Sequence, residues 1–351
     1  MGGTAGCAAR PPSDVWTGDM HEFEVISVGD ITTDALVRLS EDHAHVYEDD
    51  RGPWLVMPFA TKLPFEEAFV LEAVGNAGNA AVAMARLGLS TSLVTNVGGD
   101  RHGIDMIHAL HQQGVDTRFV RVNPGRDSNY HYALWYRNER TILVKHEEFD
   151  YHWPHLSDRE VPAWLYFSSV SEHTADYHEQ LADWLEANPG TRLAFQPGTF
   201  QLEAGPVRLE RIYRMTDVLV LNREEAVQVS GGRVGDVHGL LERLHKLGPR
   251  TVVITDGPDG AYASDGAHHL RMPTYPDPLP PFERTGAGDA FASTLVAALI
   301  KGKPLDEALR WAPVNAMSVV QYVGPQHGLL SVEALEAHLL DAPDDYGPRP
   351  F

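Results

Sequence analysis

A glycine-rich segment near residue 286 has the residue types best suited to chemistry. Glu283-Arg-Thr-Gly-Ala-Gly-Asp289 is followed directly by the apolar run AFASTLVAALI, which predicts a turn that opens a helix. The first N–H groups of a helix have no intrahelical acceptor and lie at the positive end of its dipole, so they attract an anion such as a phosphate. Gly286 and Gly288 have no side chain to block its approach. Asp289 is then either a base beside that anion or only the N-cap of the helix.

Two acidic residues and a glycine–asparagine segment stand where predicted strands and helices meet. Asp30 and Asp34 follow the strand-like run EVISVG, and open α/β sheets bind ligands at the carboxyl ends of their strands. Both carboxylates can accept hydrogen bonds from sugar hydroxyls, or they are ordinary loop acids. In Gly75-Asn-Ala-Gly-Asn79, glycine would let the backbone approach a hydroxylated ligand, to which Asn79 offers a donor and an acceptor. The alternative is a plain turn that starts a helix.

Two further segments suit a metal ion and a nucleotide. Asn222 and Glu225 follow the run DVLVL with helical i, i+3 spacing, so they lie on one side of a helix. Their oxygens suit Mg²⁺ with bound waters, and the same pair can form a helix capping box; the two interpretations are compatible. Thr255-Asp-Gly257 and Gly260 follow the run TVVIT and would form a glycine turn that holds a nucleotide, although such turns are common after strands.

The charge and cysteine content exclude several classes of function. The 351 residues carry 28 Lys and Arg against 49 Asp and Glu, a net charge of −21, which repels nucleic acids and anionic membranes. The one cysteine, Cys7, excludes an internal disulfide and suits a reducing cytosol. The most apolar run, residues 291–300, has half the roughly 20 residues that a membrane helix needs. We therefore expect a cytoplasmic protein with neither nucleic acid nor membrane as a partner.

Strand-like and helical segments alternate along most of the chain, which predicts an α/β fold with a mostly parallel sheet covered on both faces. The large domain is assigned to three segments: residues 22–35, 74–118 and 147–340. Two segments with little helical signal, 36–73 and 119–146, are expected to form a β lid. The second contains a predicted hairpin of residues 130–136 and 141–144 around a turn at Asn138 and Glu139. Residues 1–21 and 341–351 are expected to be tails, the first of them flexible.

The order of these segments resembles the ribokinase-like family of carbohydrate kinases, also called the phosphofructokinase B family. The run GNAGNAAVAMARLGLSTSLVTNVGGDRHG, residues 75–103, is similar to the family's N-terminal signature, and RTGAGDAFASTLVAAL, residues 284–299, to its C-terminal one. The resemblance implies a ribokinase-like three-layer αβα sandwich with a small β-sheet lid, and an ATP-dependent phosphotransferase that uses Mg²⁺. A Walker P-loop, a G-x-G-x-x-G after the first strand and an HExxH pair, which would indicate other enzyme classes, are absent from the sequence.

The resemblance implies a role for each segment. Asp289 would be the general base, and the backbone of Gly286, Ala287 and Gly288 would form the anion hole. The implied contacts to substrate hydroxyls are Asp34, Gly75 and Asn79, with Asp30 as a neighbour. Mg²⁺ would be held through water by Asn222 and Glu225. The implied nucleotide contacts are Asn222, Thr255, Gly257, Gly260 and Asn315.

Three residues depart from the family pattern near the reacting groups. Glu283 and Arg284 stand where the family usually has Asp-Thr, and in several members that aspartate helps to form a monovalent-cation site. Glu283 and Thr285 are therefore candidate ligands for K⁺, and Arg284 would reach either a phosphate or the substrate. Gln196 stands where many sugar kinases carry an acid.

The substrate is predicted to be a ketose or pentose sugar, from Asp34 and Asn79. A nucleoside is the alternative, because four aromatic residues of the lid could stack on a base: Tyr130, Tyr132, Trp135 and Tyr136. The same rings could instead pack the hairpin against the lid or a second subunit. A catalytically idle binding or regulatory protein is the third hypothesis. A homodimer through the lid would cover the unpaired strand edges of the lid.

Overall fold

The computed structural model describes residues 21–137 and 139–351, which form a large sheet between two layers of helices, with a small sheet beside it. The predicted α/β class, with a large, mostly parallel sheet and a small separate one, is confirmed. The predicted N-terminal tail, apart from its last residue, and Asn138 of the predicted turn lie outside the described residues. In the described part of the chain, no helix has both the length and the apolar character needed to cross a bilayer.

Strands are numbered in chain order. They are β1 Val25–Val28, β2 Thr32–Leu39, β3 His45–Asp49, β4 Gly52–Val56, β5 Phe65–Val74, β6 Thr91–Gly98, β7 Val120–Asn123, β8 Tyr130–Tyr136, β9 Glu139–Leu143, β10 Trp164–Phe167, β11 Arg192–Phe195, β12 Thr216–Asn222, β13 Thr251–Thr255, β14 Ala261–Ser264, β15 His269–Met272 and β16 Arg349–Pro350. The large sheet has the order β16-β15-β14-β13-β12-β11-β10-β1-β6-β7. Its strands from β13 to β7 are parallel, and β14, β15 and β16 add an antiparallel edge. Because helices cover both faces of a parallel sheet, its strands read as continuous apolar runs such as VISV and WLYF.

Helices are also numbered in chain order. They are α1 Asn76–Arg86, α2 Arg101–Gln112, α3 Ala175–Ala187, α4 Thr199–Arg208, α5 Glu210–Met215, α6 Arg223–Ser230, α7 Val237–His245, α8 Ala287–Ile300, α9 Leu305–Val319 and α10 Val332–Leu340. One hydrophobic core lies between the sheet and α1, α8, α9 and α10, and a second lies between the opposite face and α3, α5, α6 and α7. Helix α8 is buried from Ala290 to Ala298 and packs between the sheet and neighbouring helices, which fixes where residue 289 lies.

The small sheet has the order β5-β2-β8-β9. The predicted hairpin is confirmed, since β8 and β9 pair antiparallel. Strands β3 and β4 form a separate two-stranded hairpin. Only residues 29–31 separate β1 of the large sheet from β2 of the small one, so residues of this connection lie between the two sheets.

Two boundaries differ from the sequence-based expectation. Strand β7, which falls inside the segment assigned to the lid, pairs with β6 at the edge of the large sheet. Strand β16, in the expected C-terminal tail, pairs with β15, and the ring of Phe351 packs on His238 and Tyr262. Helices α4, α5 and α10 were not predicted. The first has Gly205 with a φ of 77° and Pro206 in its interior, and the second has six residues, so neither shows a sustained helical period.

The first prediction concerns Gly78, where α1 meets the end of β5. A Cβ at this position would lie 2.2 Å from the backbone oxygen of Ala73. Gly78→Ala is therefore expected to lower the free energy of unfolding by about 1–3 kcal/mol, the usual cost of overpacking. Urea denaturation measures it. The control is Gly190→Ala, where no atom lies within 4 Å of the added methyl group. Equal stability of the two variants would contradict the tight contact.

Candidate active site

The carboxylate of Asp289 is the centre of the site. Asp289 lies in the first turn of α8, half-buried, and accepts hydrogen bonds from three side-chain amides. Its Oδ1 accepts from Asn76 Nδ2 at 2.8 Å and from Gln196 Nε2 at 3.1 Å, and its Oδ2 accepts from Asn79 Nδ2 at 2.7 Å. Burial raises the pKa of this carboxyl, and the three amides oppose that rise because they stabilise the ionised form.

Two helical asparagines and a residue after a strand provide these amides. Gly75 is the N-cap of α1, and its φ of 99° is in the region that favours glycine. Asn76 and Asn79 follow with i, i+3 spacing and therefore face the same side. Gln196 comes directly after β11.

A second layer of hydrogen bonds orients two of the amides. Gln326 Nε2 donates to Asn79 Oδ1 at 3.1 Å and also to the backbone oxygen of Ala73, which turns the Asn79 nitrogen toward Asp289. The Tyr166 hydroxyl donates to Gln196 Oε1 in the same way. Asn79 thus uses both of its polar atoms inside the protein, whereas the sequence predicted it as a substrate ligand. Asn76, Gln326 and Tyr166 were not found from the sequence, because their partners lie far away along the chain.

The start of α8 opens onto a cavity. Gly286 is the N-cap, with a φ of 78°, and a Cβ there would lie 2.2 Å from Cβ of Pro325, so only glycine fits. No side chain caps the helix. A Cβ on Gly288 would meet no atom within 4 Å, so the space in front of the helix start is open. The arrangement suits an anion at the backbone amides of residues 286–288.

A cavity of about 510 Å³ adjoins this helix start. Its lining includes residues of both predicted groups, the glycine turn and the anion hole: Thr255, Gly257, Gly260, Ala287 and Gly288. Arg284 also lines it, on the side of the helix start, while Tyr275, Phe291 and Met317 supply an apolar wall. The cavity therefore combines an apolar part with an end suited to negative charge.

The prediction for Asn315 is not supported. Its side chain is fully buried, its Nδ2 donates to Thr294 Oγ1 at 2.8 Å, and its Oδ1 accepts from the backbone N–H of Leu330 at 2.9 Å. Its neighbours Pro313, Ala316 and Met317 line the cavity instead. Helix α9 does border the cavity, but Asn315 is on the face turned toward α8.

Asn222 and Glu225 form the capping box of α6. Glu225 N donates to Asn222 Oδ1 at 2.8 Å, and Asn222 N donates to Glu225 Oε2 at 2.9 Å. Burial raises the pKa of Glu225, and the nearby charge of Asp289 adds to that rise. A cation near both carboxylates would relieve this repulsion, and Asn222 and Glu225 as ligands of Mg²⁺ through water remain a prediction. The capping role and the metal role remain compatible.

Asp30 and Asp34 lie in different surroundings. Both oxygens of the buried Asp30 accept from the Tyr151 hydroxyl, at 2.8 and 2.7 Å, and burial raises its pKa to about 6. The carboxylate is thus engaged with Tyr151, which does not support its expected position beside a substrate hydroxyl. Asp34 lies in β2, with Oδ1 at 3.3 Å from His131 Nδ1 of β8. At this distance the two side chains do not form a well-aligned hydrogen bond, so Asp34 Oδ1 can still accept a hydrogen bond from another group.

Two histidines extend this polar wall of the small sheet. The rings of His131 and His146 lie 5.2 Å apart, and burial together with the His131 ring lowers the pKa of His146. Among the described residues, His131 Nε2 and His146 Nδ1 are buried without a hydrogen-bond partner. The spacing of His131 and His146 along the sequence carries no signal of this contact.

The expected K⁺ site at Glu283 and Thr285 is contradicted by the structure. Glu283 is buried, and its Oε1 accepts from Arg140 Nη1 at 2.7 Å and from the backbone N–H of Thr285 at 2.9 Å. Its Oε2 accepts from the backbone N–H of Gly324 at 3.1 Å. The Thr285 hydroxyl has no partner in the described residues, but the carboxylate charge that would attract K⁺ is already neutralised by a guanidinium. These residues do not fit a monovalent cation.

The second prediction concerns the amide cage of Asp289. Hydrogen bonds from N–H groups stabilise the ionised carboxylate, so Asn76→Ala is expected to raise the Asp289 pKa further. The ¹³C shift of the Asp289 carboxyl, followed by NMR through a pH titration, measures the pKa. Asn188→Ala is the matched control, because that amide donates to the carbonyl of Trp184 on a distant helix. An unchanged pKa in Asn76→Ala would show that this amide does not act on the carboxylate.

Comparison with known proteins identifies the family of this chain. A family model described as pfkB family carbohydrate kinase matches residues 57–331. A nucleoside kinase of Methanothermobacter thermautotrophicus is 27% identical over 261 residues, covering 72% of this chain and 79% of that protein. A fructokinase of Klebsiella pneumoniae is 28% identical over 269 residues, covering 73% and 86%. The solved structure of Arabidopsis thaliana ribokinase complexed with ribose and ATP has a TM-score of 0.74 at 19% identity, covering 90% of this chain and 98% of that one. The chain therefore belongs to the pfkB family of carbohydrate kinases and is an ATP-dependent sugar kinase.

Proposed function

We propose that this kinase phosphorylates a hydroxyl of a small ketose or pentose, with Asp289 as the general base and the backbone of residues 286–288 as the anion hole. The observation that carries the proposal is the position of one carboxylate beside an uncapped, open helix start. Both groups belong to α8, so a hydroxyl at Asp289 and a phosphate at the helix start are brought together by one rigid element. Phosphoryl transfer needs mainly this alignment and charge stabilisation.

The nucleotide is proposed to bind in the cavity lined by Thr255, Gly257 and Gly260, with its phosphates toward Gly288. The apolar wall would receive the base, and the open space at the glycines would admit the phosphates. Arg284, on the phosphate side, would contact the nucleotide rather than the sugar. Glu225 and Asn222 would hold Mg²⁺ through water, and the ion would neutralise phosphate charge when bound.

In the proposed reaction the substrate oxygen bonds to the terminal phosphorus of ATP while the bond from that phosphorus to the leaving ADP oxygen breaks. Asp289 accepts the hydroxyl proton. The anion-hole amides stabilise the charge on the transferred group. The amides of Asn76, Asn79 and Gln196 hold the carboxylate in place and favour its ionised form, which is the form that accepts the proton.

The surroundings of the lid aromatics favour a sugar over a nucleoside. Trp135 packs edge-to-face on Phe282, with ring centroids 5.3 Å apart, and Tyr130 packs between His102 and Tyr132. Trp135 and Tyr130 are therefore engaged within the protein. Tyr132 is half exposed, but it projects from the face of the small sheet opposite to that of Asp34 and His131. Asp34 and His131 of the same sheet offer polar atoms suited to hydroxyls. The nucleoside kinase among the relatives keeps a nucleoside as the alternative substrate.

The third prediction tests the chemistry. Asp289→Asn is expected to keep the fold and ATP binding but to lower kcat by about 10²–10⁴, because the general base is lost. ADP release over a panel of ketoses, pentoses and nucleosides measures the wild type and the variant. Asp105→Asn, on the surface of α2 and paired with Arg101, is the control.

Three outcomes of the panel would change the proposal. A variant that retains most of its turnover would remove Asp289 from the role of base. Turnover with a nucleoside and with no sugar would replace the substrate class. A wild type that binds a sugar or a nucleotide but releases no ADP would support the catalytically idle hypothesis.

We also propose that a second copy covers the outer face of the small sheet. Val70, Tyr132 and Leu143 are cross-strand neighbours around Ala35, and each of the three is about half exposed. An apolar row of this kind on a strand surface suits a symmetric contact with the same row of another copy.

The fourth prediction follows from this apolar row. Analytical ultracentrifugation is expected to show a dimer for the wild type and a monomer for Leu143→Arg, because the added charge would be buried at the contact. Val207→Arg, at a highly exposed apolar residue of α4, is the control and should remain dimeric. A monomeric wild type would exclude the proposed contact.

A further inference from the structure

The buried carboxylate of Glu283 ties three separate segments together. It accepts from the guanidinium of Arg140, from the N–H of Thr285 in its own loop, and from the N–H of Gly324 in the turn after α9. Its side chain is only 4% exposed, so solvent does little to stabilise its charge. The cation that balances it comes from a strand of the small sheet.

Arg140 reaches Glu283 because of its place in that sheet. It lies in β9 opposite Trp135 of β8, and cross-strand partners project from the same face. Trp135 packs on Phe282, the residue before Glu283, and the Arg38 guanidinium lies 4.9 Å from the centre of the Trp135 ring. Trp135 and Arg140 of the small sheet therefore contact Phe282 and Glu283, two consecutive residues that lead into the proposed anion hole.

We propose that Arg140 is a positioning residue that couples the small sheet to the phosphate-binding loop, in place of a bound monovalent cation. Its guanidinium holds the Glu283 carboxylate in place, and Glu283 in turn fixes the N–H of Thr285 next to Gly286. When the small sheet is in contact with the loop, the helix start is held in the shape that receives a phosphate. The enzyme then needs no K⁺, and assembly of the anion hole depends on the position of the lid. This inference rests on the proposed function.

Arg140→Gln is the variant that tests the proposal. It leaves the buried Glu283 without a counter-charge, so the loop is expected to loosen and kcat to fall by about tenfold, with a smaller change in the KM for the sugar. Arg140→Lys should retain much of the activity, since it restores the charge. The double variant Arg140→Gln, Glu283→Gln should recover part of the loss, because no buried charge remains unpaired. The control is Arg137→Gln on the same hairpin, whose partner Glu41 is exposed.

Hydrogen–deuterium exchange gives a measurement that needs no turnover. Amides of residues 283–288 are expected to exchange faster in Arg140→Gln than in the wild type and in Arg137→Gln, while those of the core strand β12 stay protected in all three proteins. Faster exchange throughout the chain would mean general unfolding, and the double variant then decides. If residues 283–288 exchange more slowly in the double variant than in Arg140→Gln, the coupling is supported. If they exchange as fast as in Arg140→Gln, the coupling is contradicted.

Comparison of KCl with NaCl at equal ionic strength tests the cation. The wild type is expected to turn over at the same rate in both salts. A rate several times higher in KCl would contradict the proposal that Arg140 takes the place of a bound cation. Exchange at residues 283–288 that is as slow in Arg140→Gln as in the wild type would contradict the coupling. If no substrate is turned over, the proposed function fails, but the exchange measurement still decides the role of Arg140.

Discussion

A half-buried carboxylate held by three amides is the constraint on which the site depends. Asp289 would be costly to ionise in its surroundings without the N–H groups of Asn76, Asn79 and Gln196. Those amides come from α1 and from the residue after β11. Asp289 can therefore act as a base only if α1 and β11 are correctly positioned relative to the start of α8. The layered packing of α1 and α8 on one face of the sheet is therefore a requirement of the chemistry.

The small sheet contributes to the site through charge and aromatic contacts. Its inner face carries Asp34 and His131 near one end and Trp135 and Arg140 near the other. The first pair offers polar atoms toward a hydroxylated ligand, and the second pair contacts the segment that leads into the anion hole. A single rigid sheet thus connects the part of the site that would select the substrate with the part that would stabilise the transferred group.

Local patterns predicted the parts of the site that are made by backbone. The glycine turn at residues 286–288 and the capping box of Asn222 and Glu225 follow from short spacings and are found as expected. The Arg140–Glu283 pair joins residues 143 positions apart, and no local pattern encodes such a contact. Asn315 was assigned by resemblance alone, and its burial against Thr294 shows the limit of transferring a role to a residue whose contacts are unknown.

The turn formed by Gly324, Pro325 and Gln326 contacts three parts of the candidate site at once. The N–H of Gly324 donates to the Glu283 carboxylate, and Pro325 packs closely against Gly286 at the start of α8. Gln326 orients the Asn79 amide toward Asp289. Each contact uses a different residue of one three-residue stretch, so a shift of a single position would disturb all of them together. Insertions and deletions should therefore be tolerated far less here than in the other surface loops of the chain, although none of the three residues carries out any chemistry.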